Sequence, residues 1–252
     1  MRIIVLIIGL FGLQVINGQT PEHILKNYNL IWSDDFNGTT IDSLKWSYRA
    51  TGSKRQFGIV KEENSYLDGN GKLIIEVSKN DSIHQIGQIG TQDKFLTKYG
   101  YFECSAKMNK ELGPHVAFWL QSPYIQKEKN NPKKYGTEID IFEYHTNGGT
   151  NYVYHNLHWN GYGEHHKSVG EKIQIDHIDE GFHTFGLEWT KDEYIFYVDG
   201  KETWRTTEAI SHIAEYIILS AELSGWGGDF AKSNFPDQVI FDYVKVYKKA
   251  AN

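Results

Sequence analysis

Glu138-Ile-Asp140-Ile-Phe-Glu143 sets three carboxylic acids within six residues, and how this stretch folds decides the architecture around it. Ile139, Ile141 and Phe142 give it an apolar backing, which suits a buried strand and not an edge open to water. Side chains alternate across a strand, so Glu138 and Asp140 share a face while Glu143, five positions beyond Glu138, points to the other. One extra residue at Ile141-Phe142, a β-bulge, restores the register and brings all three acids to one surface. Burying acids is costly, so such a trio implies a use.

The arrangement suits cleavage of a glycosidic bond. One carboxylate attacks the anomeric carbon, and a second, protonated, carboxyl delivers a proton to the leaving oxygen. Negative charge on Glu138 and Asp140 raises the proton affinity of a neighbour, which predicts Glu143 as the acid and Glu138 as the nucleophile. Four effective strand positions separate the outer Cα atoms by roughly 13 Å. Retaining enzymes hold their carboxyls about 5 to 5.5 Å apart, so the side chains must lean together across a concave sheet.

Outward from this stretch the periodicity is that of strands. Segments 72–78, 99–108, 152–159, 182–189, 194–198, 216–223 and 239–247 are short, rich in β-branched or aromatic residues, and bounded by turns. Asp68-Gly69, Asn70-Gly71 and Asp199-Gly200 are hairpin signals. Helix is expected only as a turn or two within 208–214. Neither a repeat nor a low-complexity linker interrupts the pattern, which predicts an all-β fold: a jelly-roll sandwich of two curved antiparallel sheets with an open substrate cleft. The polar insertion 123–135 precedes the acidic strand and is expected to rim that cleft.

Met1-Arg2 and the apolar run Ile3 to Leu13 read as a cleavable secretory signal over residues 1–18, too short to span a bilayer. Residues 19–252 form one expected catalytic domain, secreted or periplasmic, monomeric, and free of the membrane after cleavage. A net charge of −6 gives no electrostatic footprint for nucleic acid. Cys104 is the only cysteine, which excludes an intrachain disulfide and a thiolate zinc site; its alternating surroundings predict a packed core thiol. Six histidines lie between His115 and His166. His155 and His158, however, fall on opposite faces of their strand, so a metal site is not expected.

Trp119 and Trp226 offer planes on which sugar rings can stack, Trp226 from the glycine-rich loop Ser224-Gly-Trp-Gly-Gly-Asp229. Trp32, Trp46, Trp189 and Trp204 are expected in the core or on the sheet surface. Ser220 and Glu222 share a strand face that can reach the cleft.

The hexapeptide Glu-Ile-Asp-Ile-Phe-Glu resembles the signature of glycoside hydrolase family 16, in the bulged form of its laminarinase, agarase and carrageenase branches. Trp32-Ser-Asp-Asp-Phe-Asn-Gly38, Tyr99-Gly-Tyr-Phe-Glu103, Ala117-Phe-Trp-Leu120, Phe182-His-Thr-Phe-Gly-Leu-Glu-Trp189, Tyr197-Val-Asp-Gly200 and Asp242-Tyr-Val-Lys-Val-Tyr247 follow in the family's order. The resemblance implies Glu138 as nucleophile, Asp140 hydrogen-bonded to it, and Glu143 as acid and then base. It also implies Trp119 beside the attacked sugar, His158-Trp159 serving the acid/base and substrate hydroxyls, and Asp242 as a ligand of a structural calcium, with no cofactor required. One departure stands out: many laminarinases carry Trp-Pro before Ala-Phe-Trp, whereas Gly113-Pro-His115-Val116 precedes Ala117 here. The expected function is an endo-acting retaining hydrolase of a polysaccharide, β-1,3-glucan first and a β-galactan of the agar, porphyran or carrageenan kind second. A non-catalytic carbohydrate-binding jelly roll is the remaining alternative.

Overall fold

A computed structural model describes residues 19–127 and 129–250; the expected signal, residues 1–18, lies outside them. Two sheets, of eleven and seven strands, face each other across one apolar core. The seven-stranded sheet runs, edge to edge, through Lys167–Gln174, Tyr152–Trp159, Glu138–Tyr144, Pro114–Gln121, Tyr216–Leu223, Gln88–Gly90 and Ser47–Tyr48. Four of these are named here for what they carry: the tryptophan strand Pro114–Gln121, the carboxylate strand Glu138–Tyr144, the histidine strand Tyr152–Trp159 and the serine strand Tyr216–Leu223.

The larger sheet is centred on Gly100–Lys107 and Asp237–Lys249. It departs from the antiparallel expectation once: Gly58–Val60 pairs parallel with Ile83–Ile86, because the chain returns beside its earlier strand only after passing through Ser65–Leu67 and Leu73–Asn80. Asp199 and Gly200, at φ 49° and 72°, make the left-handed turn between Tyr194–Val198 and Lys201–Thr206.

Helix forms elsewhere than expected. Residues 208–209 form a turn, with Ala209 at φ 48°, and 210–214 are irregular. Glu22–Asn27 and Pro132–Tyr135 are helical instead. In the latter Asn131 Oδ1 accepts from Lys134 N at 3.2 Å and Pro132 supplies a preset first turn.

Phe118, Leu120, Ile139, Ile141, Phe142 and Tyr144 point into the core with Phe102, Cys104 and Phe185. Phe142 and Phe185 meet across the sandwich with their rings tilted by 38° and 4.2 Å between ring centres. Each such fully buried side chain contributes about 1.5–3 kcal/mol, so the acid-bearing strand is held down by its apolar half. Trp46 and Trp189 are buried, and Trp32 and Trp204 pack against the same core.

Candidate active site

The bulge lies where the hexapeptide requires it. Between Asp140 and Glu143 the carboxylate strand advances three residues while the histidine strand advances two, from Asn156 to Tyr154. On its other side, Phe142 to Asp140 spans a single step from Phe118 to Trp119. Ile141 and Phe142 both enter the core, and Glu138, Asp140 and Glu143 line one cavity of about 340 Å³ on the opposite face. A histidine beneath the sheet holds the kink: the Ile141 carbonyl accepts from His155 Nδ1 at 2.7 Å, and His155 Nε2 lies 2.9 Å from Thr203 Oγ1. Burial pushes the imidazole down to about 4, so it stays neutral in that role. His155 and His158 do lie on opposite faces, His155 in the core and His158 at the acids.

The three acids have unlike surroundings. Glu138 Oε2 accepts from Gln121 Nε2 at 3.0 Å and from the hydroxyl of Tyr162. Gln121 is held in turn by Arg49, whose NH2 donates to its Oε1 at 2.9 Å. Burial, with the charge of Glu143 added, still raises Glu138 to about 7 against these contacts. Asp140 is raised well above its ordinary value by burial and by the two flanking glutamates, and its Oδ2 has no hydrogen-bond partner. His158 Nε2 lies 3.4 Å from that oxygen, while His158 Nδ1 lies 3.0 Å from His166 Nε2.

Glu143 behaves oppositely. Burial pushes it up, but His115 Nε2 at 2.8 Å from Oε1 and the Asn156 amide on Oε2 outweigh that and leave it below the usual range. Two expectations are thereby corrected. The site does not hold Glu143 as its most proton-retentive acid, because His115 and Asn156 stabilise its ionised form. Nor does Asp140 hydrogen-bond to Glu138, whose oxygen is taken by Gln121 and Tyr162.

The rest of the wall comes from neighbouring strands and loops. Trp119 Nε1 donates to Ser220 Oγ at 3.1 Å, and the Arg49 guanidinium sits 5.3 Å over the Trp119 ring. Glu222 accepts from Arg55 Nε at 2.6 Å and from Gln88 Nε2 at 3.0 Å, at the cavity's other wall. Gln126, from the polar insertion, lines the cavity too. Trp226, 40% exposed, lies beyond Glu143 with its ring edge-on to His115, His145 and Tyr154. Trp159 is a correction: strand alternation turns it away from His158 and against the core, with Nε1 donating to Asn130 Oδ1 of the rim loop at 3.3 Å.

Asp242 does not fit a calcium ion, since the Lys72 ammonium already sits 2.8 Å from its Oδ1. Among the described residues the ligand atoms that converge are those of Glu138, Asp140 and His158, within 4.8 Å of one another. A cation there would have to displace the protons that burial favours on Glu138 and Asp140, so this set fits acid–base chemistry better than an ion.

Several wall residues carried no signal in the sequence: Tyr162, Gln121, Arg49 and Arg55 come from loops or from strand positions with no distinctive spacing. Asn156 was findable, because alternation places it on the same face as His158. His115 was visible only as the departure before Ala117.

The chain matches Glycosyl hydrolases family 16 over residues 53–245. It is 28% identical to glucan endo-1,3-beta-glucosidase A1 of Niallia circulans over 92% of this chain, and spans 39% of that protein's length. It is also 28% identical to beta-porphyranase B of Zobellia galactanivorans, over 83% of this chain and 79% of that one. The crystal structure of a laminarinase from Flavobacterium sp. UMI-01 superposes with a TM-score of 0.74 at 27% identity, covering 87% of this chain and all (100%) of the laminarinase.

Proposed function

The chain belongs to glycosyl hydrolase family 16, and on that premise we propose that it is an exported, endo-acting retaining β-glycanase that cuts internal linkages of a polysaccharide. Glu138 attacks the anomeric carbon to form a glycosyl-enzyme, while Glu143 protonates the leaving oxygen. Glu143 then takes a proton from the water that releases the sugar. Two carboxyls supply both nucleophile and proton, so the reaction calls for no cofactor. Burial, with the charges of the two glutamates added, favours the protonated form of Asp140, which spares Glu138 a second adjacent charge when it ionises.

One observation carries this reading: the bulge at Ile141-Phe142 brings three acids, otherwise split between two faces, to one cavity. β-1,3-Glucan is the first substrate, supported by the likeness to a glucan endo-1,3-beta-glucosidase and a laminarinase. A β-galactan is the second reading, favoured by the porphyranase relative; Gly113-Pro-His115-Val116 in place of Trp-Pro weakens the first reading without naming a replacement.

The test is product chromatography with laminarin, lichenan, agarose, porphyran, carrageenan and mucin glycans, with Glu138→Gln as control. Laminari-oligosaccharides from the wild type alone support the first reading. Galactan fragments alone replace it with the second. No product from any of them sinks the enzyme.

A further inference from the structure

His115 stands where the family pattern leads one to expect something else, and it touches the acid that proton transfer depends on. Its strand position follows from register. Ala117 is directly opposite Glu143, so His115, two residues earlier on the same face, reaches Glu143 diagonally across the strand pair. The small Ala117 side chain leaves room for that approach. Nε2 meets Glu143 Oε1 at 2.8 Å, with side chains only 16% and 11% exposed. Trp226 covers the imidazole at 4.7 Å between ring centres, so this pair is shielded from bulk water on that side.

We propose that His115 and Glu143 work as one proton-holding unit, in which His115 is a positioning residue that keeps the acid/base carboxyl aimed and supplied with its proton. This rests on the assignment of Glu143 as acid/base. At rest the shared proton lies on the imidazole and Glu143 is its carboxylate partner. In the first step the proton moves from His115 Nε2 to Glu143 and on to the leaving oxygen, leaving a neutral imidazole beside a carboxylate. In the second step Glu143 takes the proton of the attacking water, and the pair recovers it as the glycosyl bond breaks. No proton is gained or lost over the cycle beyond those of the sugar hydroxyls.

The groups facing His115 agree with a proton kept there. Glu143 and Glu138 face it from the carboxylate strand, and Glu222 is its register partner on the serine strand, tied to Arg55. Against burial, these acids hold the imidazole above its ordinary value, Glu143 foremost. His145, stacked on Tyr154, is pushed down to about 4 by burial and by His115, and so adds no competing charge. Lys172 stands farther out, over the Tyr154 ring at 5.6 Å.

The test uses the full chain labelled with ¹⁵N-histidine, with His115 assigned from His115→Gln. In the wild type the His115 ring is expected to titrate above about pH 6.5, and in Glu143→Gln its midpoint should fall by at least about one pH unit. A midpoint that Glu143→Gln does not move overturns the proposal, whatever substrate the protein cuts. The second arm is the pH dependence of kcat/KM on laminarin. His115→Gln keeps an N–H toward Oε1 but cannot carry the proton, so its alkaline limb should move to lower pH. An unmoved limb with activity lowered equally at every pH means a purely structural histidine and also overturns the proposal. If the wild type leaves laminarin intact, the substrate assignment fails while the titration still decides the pairing.

Discussion

The two ends of the carboxylate strand bear the same side chain and hold it in opposite ways. Glu138 receives hydrogen bonds from an amide and a phenol, neutral donors that do not offset burial, and is raised to about 7. Glu143 faces an imidazole and an amide and is lowered. Residue type therefore does not assign the roles of the two acids. The neighbours set their proton affinities, and at rest they favour the proton on the side of the proposed nucleophile. Catalysis on this scheme needs that distribution reversed, with the carboxylate at Glu138 and the proton delivered at Glu143.

Removing either carboxyl has the largest expected effect. Glu143→Gln should lower kcat on polysaccharide about 10²–10⁴-fold through loss of acid–base catalysis, and Glu138→Gln at least as much through loss of the nucleophile. Activity within tenfold of wild type in either would end the assignment.

Gly170 controls the Glu143 end through Asn156. This residue pairs with Asn156, and a Cβ there would lie 1.8 Å from Asn156 Oδ1. Gly170→Ala should push the amide off Glu143 and cost roughly ten- to a hundredfold in kcat, since displacements of about 1 Å near the chemistry have such effects. Unchanged kcat would show that Asn156 does not matter to the acid.

At the Glu138 end the readout is pH. A nucleophile must be ionised and this carboxyl is raised to about 7, so the acidic limb of kcat/KM should lie near neutrality and not near 4.5. The Tyr162 bond favours the ionised form, so Tyr162→Phe should move that limb to still higher pH. A limb that stays put counts against Tyr162 as a partner of the reacting carboxylate.

Stability gives the smaller effects. A raised acid binds more protons folded than unfolded, so the wild type loses stability as pH climbs from 4.5 towards about 7. Glu138→Gln cannot ionise and escapes that loss; its Tm advantage should be larger near about pH 8 than near about pH 5. Equal differences at both would contradict the raised value. His155→Phe leaves the Ile141 carbonyl without its donor and should cost about 1–3 kcal/mol, read as a lower denaturant midpoint. No change would mean that the bulge does not depend on that histidine.

The strands were legible where apolar and polar residues alternate. Segments 152–159, 194–198 and 216–223 coincide with observed strands to the residue. Lys167–Gln174 was not foreseen, because an edge strand with both faces largely open to water carries little apolar signal. The helices were misplaced for a similar reason: at six and four residues they show no periodicity, Glu22–Asn27 being docked through Ile24 and Pro132–Tyr135 capped by Asn131.

Residue order alone is enough to show that the chain is built from strands, that its acidic hexapeptide needs one extra residue to face a single way, and that Cys104 and most tryptophans belong to packing. These follow from local rules, alternation and burial, which act along the chain. The tertiary structure alone decided which acid keeps its proton, since that depends on His115, Asn156, Gln121 and Tyr162, groups 13 to 28 positions away from the carboxylates they touch. It likewise turned Trp159 inward and gave Asp242 to Lys72. Proton affinity is set by whatever lies within a few ångströms, and only folding brings those groups together.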